Sequence, residues 1–297
     1  MFLNLWRRIV NHFIRASCRA HSPVSRPNVS FRPQVEEFED RTLLSTVYWW
    51  GGSGLWSDPV HWLEFPTGTQ HVPTVSDDAV IYFYTVTHSA GADAVGSVSV
   101  MSGGGLALTG GILTSGAFRN AGNVTIGAGS TLTVGGLYTQ TSGMAETRTQ
   151  TTLNGGTLTA TGLVDIQEDT TLAGMGTING NVRNAGLLTI GDDSTTVGIL
   201  TINGNFTQTS AGTLAVKIGG LTTTGSDFDQ LVLSPGFQAT LDGTLQVTLI
   251  NGYTPTTDDS IMIMTFDSAT GTFTHLTGDG PLFMNTYDPT DVTLIAI

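Results

Sequence analysis

The chain has 297 residues, with 48 Thr and 38 Gly against only 11 Lys plus Arg. β-Branched Thr favours pleated surface and Gly is costly inside helices, so this composition predicts many short strands and few helices. Seven of the eleven basic residues (Arg7, Arg8, Arg15, Arg19, Arg26, Arg32, Arg41) precede Ser45, and residues 46–297 hold 4 basic against 20 acidic groups, a net of −16. A surface of that sign repels phosphate backbones and argues against nucleic acid as a partner. Cys18 is the only cysteine, so the body carries neither a disulfide nor a thiolate metal site.

Residues 1–46 contain the Arg cluster, three prolines and no glycine, and read as a basic leader or sorting segment without fixed structure. Phe2, Leu3, Leu5, Trp6, Ile9, Val10, Phe13 and Ile14 fall on one face of a short helix. Arg7 and Arg8 interrupt that face, and no apolar core of signal-peptide length follows. No stretch of the chain is long and apolar enough to span a membrane as a helix. Val35-Glu36-Glu37-Phe38-Glu39-Asp40-Arg41-Thr42-Leu43-Leu44-Ser45 resembles the Val-Glu-x-Leu-Glu-Asp-Arg-x-Leu-Leu-Ser segment of large secreted and surface proteins of planctomycete bacteria, with Phe38 where Leu is usual. That resemblance implies export or surface sorting, hence an extracellular or cell-surface location, and no chemistry.

Residues 47–95 hold Trp49, Trp50, Trp56 and Trp62 together with Tyr48, Tyr82, Phe83 and Tyr84, an expected aromatic N-terminal cap. The run from Trp50 through Trp56-Ser57-Asp58-Pro59-Val60-His61-Trp62 is similar to the Trp-Ser-Asp-Pro-x-x-Trp entry module that precedes Gly-rich solenoids in bacterial surface proteins. Bulky rings cover the open end of a first rung efficiently. Flat rings also stack on sugars, which makes Trp49, Trp50, Trp56 and Trp62 the candidate carbohydrate-stacking residues.

Residues 96–220 repeat themselves. Arg119-Asn120-Ala121-Gly122 recurs 64 residues later as Arg183-Asn184-Ala185-Gly186, and each copy leads to a Thr-Gln-Thr-Ser block, Thr139–Ser142 and Thr207–Ser210. Between them run triplets such as Val124-Thr125-Ile126, Leu132-Thr133-Val134, Leu158-Thr159-Ala160, Leu188-Thr189-Ile190 and Leu200-Thr201-Ile202. Each points two apolar side chains one way and a Thr the other, the period of a half-buried strand. Repetition on this scale indicates a solenoid, and three rungs per repeat gives about 21 residues per rung. Arg119 and Arg183 are then expected on one side, about three rungs or roughly 14 Å apart, with Asn120 and Asn184 in an internal amide ladder. No proline lies between Pro73 and Pro235 to interrupt pairing.

Residues 221–297 run Asp227-Phe228-Asp229-Gln230-Leu231, Leu241-Asp242-Gly243-Thr244-Leu245, Gly252-Tyr253-Thr254-Pro255, Ile261-Met262-Ile263-Met264 and Gly271-Thr272-Phe273. This order resembles the C-terminal module that follows passenger-like β-helices in autotransporter-type and planctomycete surface proteins, which implies a β-sandwich-like C-terminal cap. Leu231, Leu233, Leu245, Val247, Leu249, Ile261, Ile263 and Phe273 are its expected core.

Catalytic patterns are missing from the sequence. His61, His71, His88 and His275 are scattered, with no His-Glu-x-x-His, Gly-x-Ser-x-Gly or phosphate-loop motif. Asp227 and Asp229 alternate onto one strand face and are the candidate metal ligands, for calcium, although no calcium-loop motif surrounds them. No catalytic or cofactor-binding residue is assigned. The expectation is an all-β protein: a parallel β-helix (β-solenoid) with an aromatic N-terminal cap and a β-sandwich-like C-terminal cap. It would serve as an exported, non-enzymatic structural or adhesion protein facing a cell-surface or extracellular polymer such as a polysaccharide. The alternative is a carbohydrate-binding or polysaccharide-degrading β-helix, because this fold hosts such enzymes and fold does not determine function.

Overall fold

A computed structural model of the protein describes residues 45–143, 149–191 and 195–297. The leader up to residue 44, and with it Cys18, lies outside the described residues, as do Arg148 and the Asp192-Asp193 pair. The described chain is all-β with a parallel strand arrangement. Its only helical turns among the described residues are the 3-10 segments Pro59–His61 and Gly280–Leu282.

Three ladders of parallel strands organise the body. The first passes from Ser45–Trp49 to Asp77–Ile81, then through residues 97–100, 117–120, 138–140, 164–166 and 182–184 to Phe206–Gln208, Gln238–Leu241 and Ser268–Gly271. The second runs from Gly54–Leu55 and Thr85–His88 through Gly105–Leu108, Asn123–Gly127, residues 150–155 and 171–173, Leu187–Ile190, Thr213–Ile218 and Thr244–Leu249 to His275–Gly278. The third stacks residues 92–95, 112–115, 130–134, 157–160, 176–179, 199–203 and 230–233, then Ser260–Thr265. Two long strands, Thr149–Ile166 and Thr170–Asn184, take part in all three ladders, with register shifts between Asn154 and Thr157 and between Thr159 and Leu163.

Alternation decides what is buried. Leu113, Leu132, Leu158, Ile178 and Ile202 occupy consecutive positions of the third ladder, all with no exposed surface, while their neighbours along each strand, Thr except at Ile112, Asn179 and Asn203, face outward. In the first ladder Phe118 and Tyr138 are register partners and their rings stack at 5.1 Å. The glycine that closes each copy of the repeated tetrapeptide is held by close approach. A Cβ on Gly122 would collide with the Gly104 carbonyl oxygen, and one on Gly186 would lie 2.5 Å from those of Gln167 and Thr170.

Asn120 pairs with Gln140, Gln140 with Ile166 and Ile166 with Asn184. The 64-residue repeat therefore spans three steps of the first ladder, and Arg119 and Arg183 occupy one register line through Thr139 and Asp165.

The segment boundaries differ from expectation in three places. Ser45 and Thr46, assigned to the leader, begin the first strand and pair with Asp77 and Asp78. Within residues 47–95, Asp77–Ile81 and Thr85–His88 already belong to the ladders, so the cap and the repeats interleave. Residues 230–278 continue all three ladders in parallel, where a sandwich-like module was expected. A Leu-x-Gly-x-Leu stretch has period 2 in either arrangement, and only pairing direction separates them. Antiparallel strand pairing at this end joins Ser260–Thr265, Asp291–Ala296 and Phe283–Asp288, beside an isolated antiparallel bridge between Ile218 and Phe228. The expected core residues of this segment are buried, except Leu249, which is partly so.

Candidate functional site

Aromatic residues near Ser45 form a packed cluster. Trp49, Trp56 and Trp62 are 3%, 1% and 0% exposed, and the Trp62 ring meets both others edge-on at 4.9 Å. The Trp62 indole donates to the Trp56 carbonyl at 2.8 Å, and the Trp49 indole to that of Gly52 at 2.6 Å. His61 stacks on Trp49. Of the four tryptophans singled out for sugar stacking, only Trp50 is exposed, at 70%. Alternation along Ser45–Trp49 sends Val47 and Trp49 inward, and the hairpin with Trp62–Phe65 brings Trp62 onto Trp49. Three rings that bury one another offer no platform to a ligand.

Asp227 and Asp229 are not a shared ligand pair. Regular pairing of the strand begins only at Gln230, and each carboxylate has its own donors. Asp227 accepts from the amides of Thr222 and Thr223 at 3.1 and 2.9 Å, and hydrogen bonds from these two residues hold its carboxyl below the usual range. Asp229, fully buried, accepts from the Gly198 amide at 2.8 Å and the Lys217 amide at 2.7 Å, and lies 3.0 Å from the Lys217 ammonium. Burial pushes its carboxyl up to about 6, against the opposing pull of Lys217 and the amide donors. Among the described residues no three His, Cys, Asp or Glu side chains converge to hold a metal ion.

No sequence motif marks the Lys217–Asp229 pair. Lys217 is the only lysine of the chain and sits on an outward position of Thr213–Ile218, where solvent is expected. The return of the chain through Phe228, which bridges to Ile218, brings Asp229 onto it and leaves Lys217 6% exposed. The one signal in the sequence is a lone cation amid an apolar strand, shortly before an Asp-x-Asp.

Two further polar groupings are internal. His88, buried, bonds the Gly110 carbonyl through Nδ1 and Asp93 through Nε2, both at 2.9 Å. Asn120 donates to the Gln150 carbonyl and to Thr151 Oγ1, each at 3.0 Å, and accepts from the Gly122 amide. Thr151 in turn donates to Gln140 at 2.7 Å, and Gln140 reaches the Thr171 carbonyl. Asn184, Gln208 and the Thr213 and Thr244 carbonyls repeat the pattern further along. The expected amide ladder is therefore present, with Gln as well as Asn and with Ile166 interrupting it. Arg183 pairs with Asp165 at 2.9 Å, directly across the ladder, while Arg119 lies against Met101.

Apart from Asp227, which bonds within its own loop, these polar constellations join one strand segment of the ladders to another, and none of them lines a cleft with acid, base and nucleophile together. Compared with protein-family models the chain matches none, and a search of curated proteins finds no similar sequence.

Proposed function

We propose that the three parallel ladders are the faces of a β-helix and that the protein is an exported, non-enzymatic structural or adhesive element of a cell surface or extracellular matrix. The observation that carries this reading is where the buried polar chemistry is used. Asn120, Gln140, Asn184, Gln208, Lys217 and Asp229 all bond backbone or side chains of neighbouring turns. Such a molecule is built to hold shape. The aromatic cluster supports the same reading as a cap over the first turn, because three of its four tryptophans are consumed in packing. Its partner would be a surface or extracellular polymer, reached through the outer faces of the ladders. Export is supported by the segment ending at Ser45, which leads directly into the first strand.

The test is localisation. Full-length chain and a form starting at Ser45 are produced in a secreting planctomycete host, and surface protease accessibility is measured beside the melting temperature of each. Export of the full chain alone, with matching melting curves, is expected. Retention of both forms inside the cell, or hydrolysis of a polysaccharide by the purified chain, would overturn the reading.

A further inference from the structure

The outer face of the third ladder is a two-column lattice of uncharged side chains. Thr131, Thr157, Thr177 and Thr201 are consecutive register partners, and two residues along each strand Thr114, Thr133 and Thr159 form a second column. Asn179 and Asn203 extend that second column, and their amides are tied in line: Asn203 donates to Asn179 at 2.7 Å and Asn179 to Thr159 at 3.0 Å. Residues 112–115, 130–134, 157–160, 176–179 and 199–203 contain no charged side chain, on a body whose net charge is −16. The other ladders lack this regularity: Arg119, Asp165 and Arg183 lie on one outward line of the first, and the outward lines of the second mix types, Asn123, Gln150, Thr171 and Leu187 on one and Ala107, Thr125, Thr152, Ala173 and Thr189 on the other. High strand propensity alone would scatter Thr over all three faces. It does not account for Thr and Asn held in two register columns on one face and not on the others.

We propose that this face binds ice. Parallel pairing fixes the lattice at about 4.8 Å between strands and about 6.6 Å between alternate residues, each within about a tenth of the oxygen repeats on the prism faces of ice. Thr suits the task because its β-branched side chain is stiff at χ1, so the methyl and hydroxyl groups keep their spacing without an entropic cost on docking. The hydroxyls of Thr131, Thr133, Thr157, Thr177 and Thr201 make no side-chain hydrogen bond among the described residues and are left to water. Methyl groups spaced at these intervals order the water between them, and the hydroxyls anchor that layer. Charge would hold water in a radial shell that does not fit the crystal, so its exclusion is part of the design. The inference concerns the purified molecule and does not depend on where the protein is sorted.

The experiment is partition of the purified full-length chain between a slowly growing ice hemisphere and the surrounding liquid, with ice-crystal habit followed microscopically. Thr157→Tyr places a bulky ring at the centre of the lattice, and Thr207→Tyr makes the same change on the outer face of the first ladder. Wild type and Thr207→Tyr should enter the ice and facet crystals. Thr157→Tyr should fall about tenfold or more in partition, as loss of a central contact does. Melting curves establish that each variant is folded, and Thr133→Tyr replaces Thr157→Tyr if the latter is not. Rejection of folded wild type into the liquid overturns the proposal, as does equal partition of the wild type and the lattice variant. Failure to facet ice combined with pelleting on crystalline cellulose or chitin, lost in Thr157→Tyr, would assign the face to a polysaccharide and likewise overturn it.

Discussion

The buried ion pair between Lys217 and Asp229 makes a prediction that depends on its whole environment. Asp229→Ala removes the counter-charge 3.0 Å from the Lys217 ammonium and the acceptor of two amides, those of Gly198 and Lys217. Breaking a buried pair from one side costs about 3–5 kcal/mol. At about 2–4 °C per kcal/mol for a body of this size, the melting temperature should fall by about 6–20 °C. Lys217→Met is milder, about 1–3 kcal/mol, because Asp229 keeps both amide donors and burial already favours its neutral form. The double variant Lys217→Met/Asp229→Leu has no buried charge and takes a partner only from the Gly198 and Lys217 amides and from the Ile190 carbonyl, to which the Lys217 ammonium donates. It should therefore cost less than the sum of the single changes by more than about 1 kcal/mol. Thermal and urea melts measure the cycle. Hydrogen exchange at the Gly198 and Lys217 amides localises the effect, since stacked turns open by parts. A melting temperature for Asp229→Ala within about 2 °C of wild type, or strict additivity, would refute the argument.

The remaining expectations are simpler. Burial acts to raise the Asp77 carboxyl, yet hydrogen bonds from Ser45, from the Thr74 hydroxyl and amide and from His71 outweigh it and hold it below its ordinary value. A depressed folded value contributes stability present above the unfolded value near about 4 and lost as pH falls through the folded one. Acid titration of stability should thus be steeper in wild type than in Asp77→Asn, and parallel curves would remove the argument. Trp62→Ala should cost about 3–5 kcal/mol by urea melt, whereas Trp50→Ala should stay within about 0.5 kcal/mol. Gly122→Ala drives a Cβ onto the Gly104 and Met101 carbonyls and should destabilise by about 1–3 kcal/mol, against little effect from Gly135→Ala, whose Cβ would meet nothing closer than 3.7 Å. Asn184→Ile/Gln208→Leu extends to two more positions of the ladder the apolar side chain that Ile166 already supplies. It should lose no more than about 2 kcal/mol while its amide spectrum broadens, and unchanged linewidths would deny the amides a role in register.

Much of the architecture was legible because it is periodic. Triplets with Thr between two apolar residues mark inward and outward positions, and the spacing of Asn120 and Asn184 states the number of ladder steps between them. What periodicity cannot carry is pairing direction and long-range closure. Residues 230–278 alternate as a sandwich strand would, and their parallel partners lie some thirty positions back, as Leu245 pairs with Leu214. Trp49, Trp50, Trp56 and Trp62 look alike in sequence, and only the hairpin from Ser45–Trp49 to Trp62–Phe65 separates three buried rings from one exposed. Asp227 and Asp229 look like partners because they are two apart, yet Asp227 closes a turn and bonds within its own loop, while Asp229, past the bridge at Phe228, bonds Lys217.

Periodicity also creates a difficulty that the buried amides address. A stack of nearly identical Leu-Thr-x triplets is degenerate: sliding one turn by two residues still places apolar side chains inside and Thr outside. Hydrophobic burial cannot distinguish those registers, because the area removed from water is the same. An internal Asn or Gln can, since its amide must find a particular carbonyl and is left unsatisfied in any slipped arrangement, at about 1–3 kcal/mol per group. Asn120 to the Gln150 carbonyl, Gln140 to that of Thr171, Asn184 to that of Thr213 and Gln208 to that of Thr244 each tie a corner of the first ladder to the second ladder of a following turn. The four bonds recur at nearly every turn of the middle of the stack, where the triplets are most alike. They thin out at its ends, where Trp62 and the antiparallel strand Asp291–Ala296 fix position by shape. The polar interior thus follows from the repetitive exterior: the more uniform the outer Thr lattice, the more the register has to be specified from within.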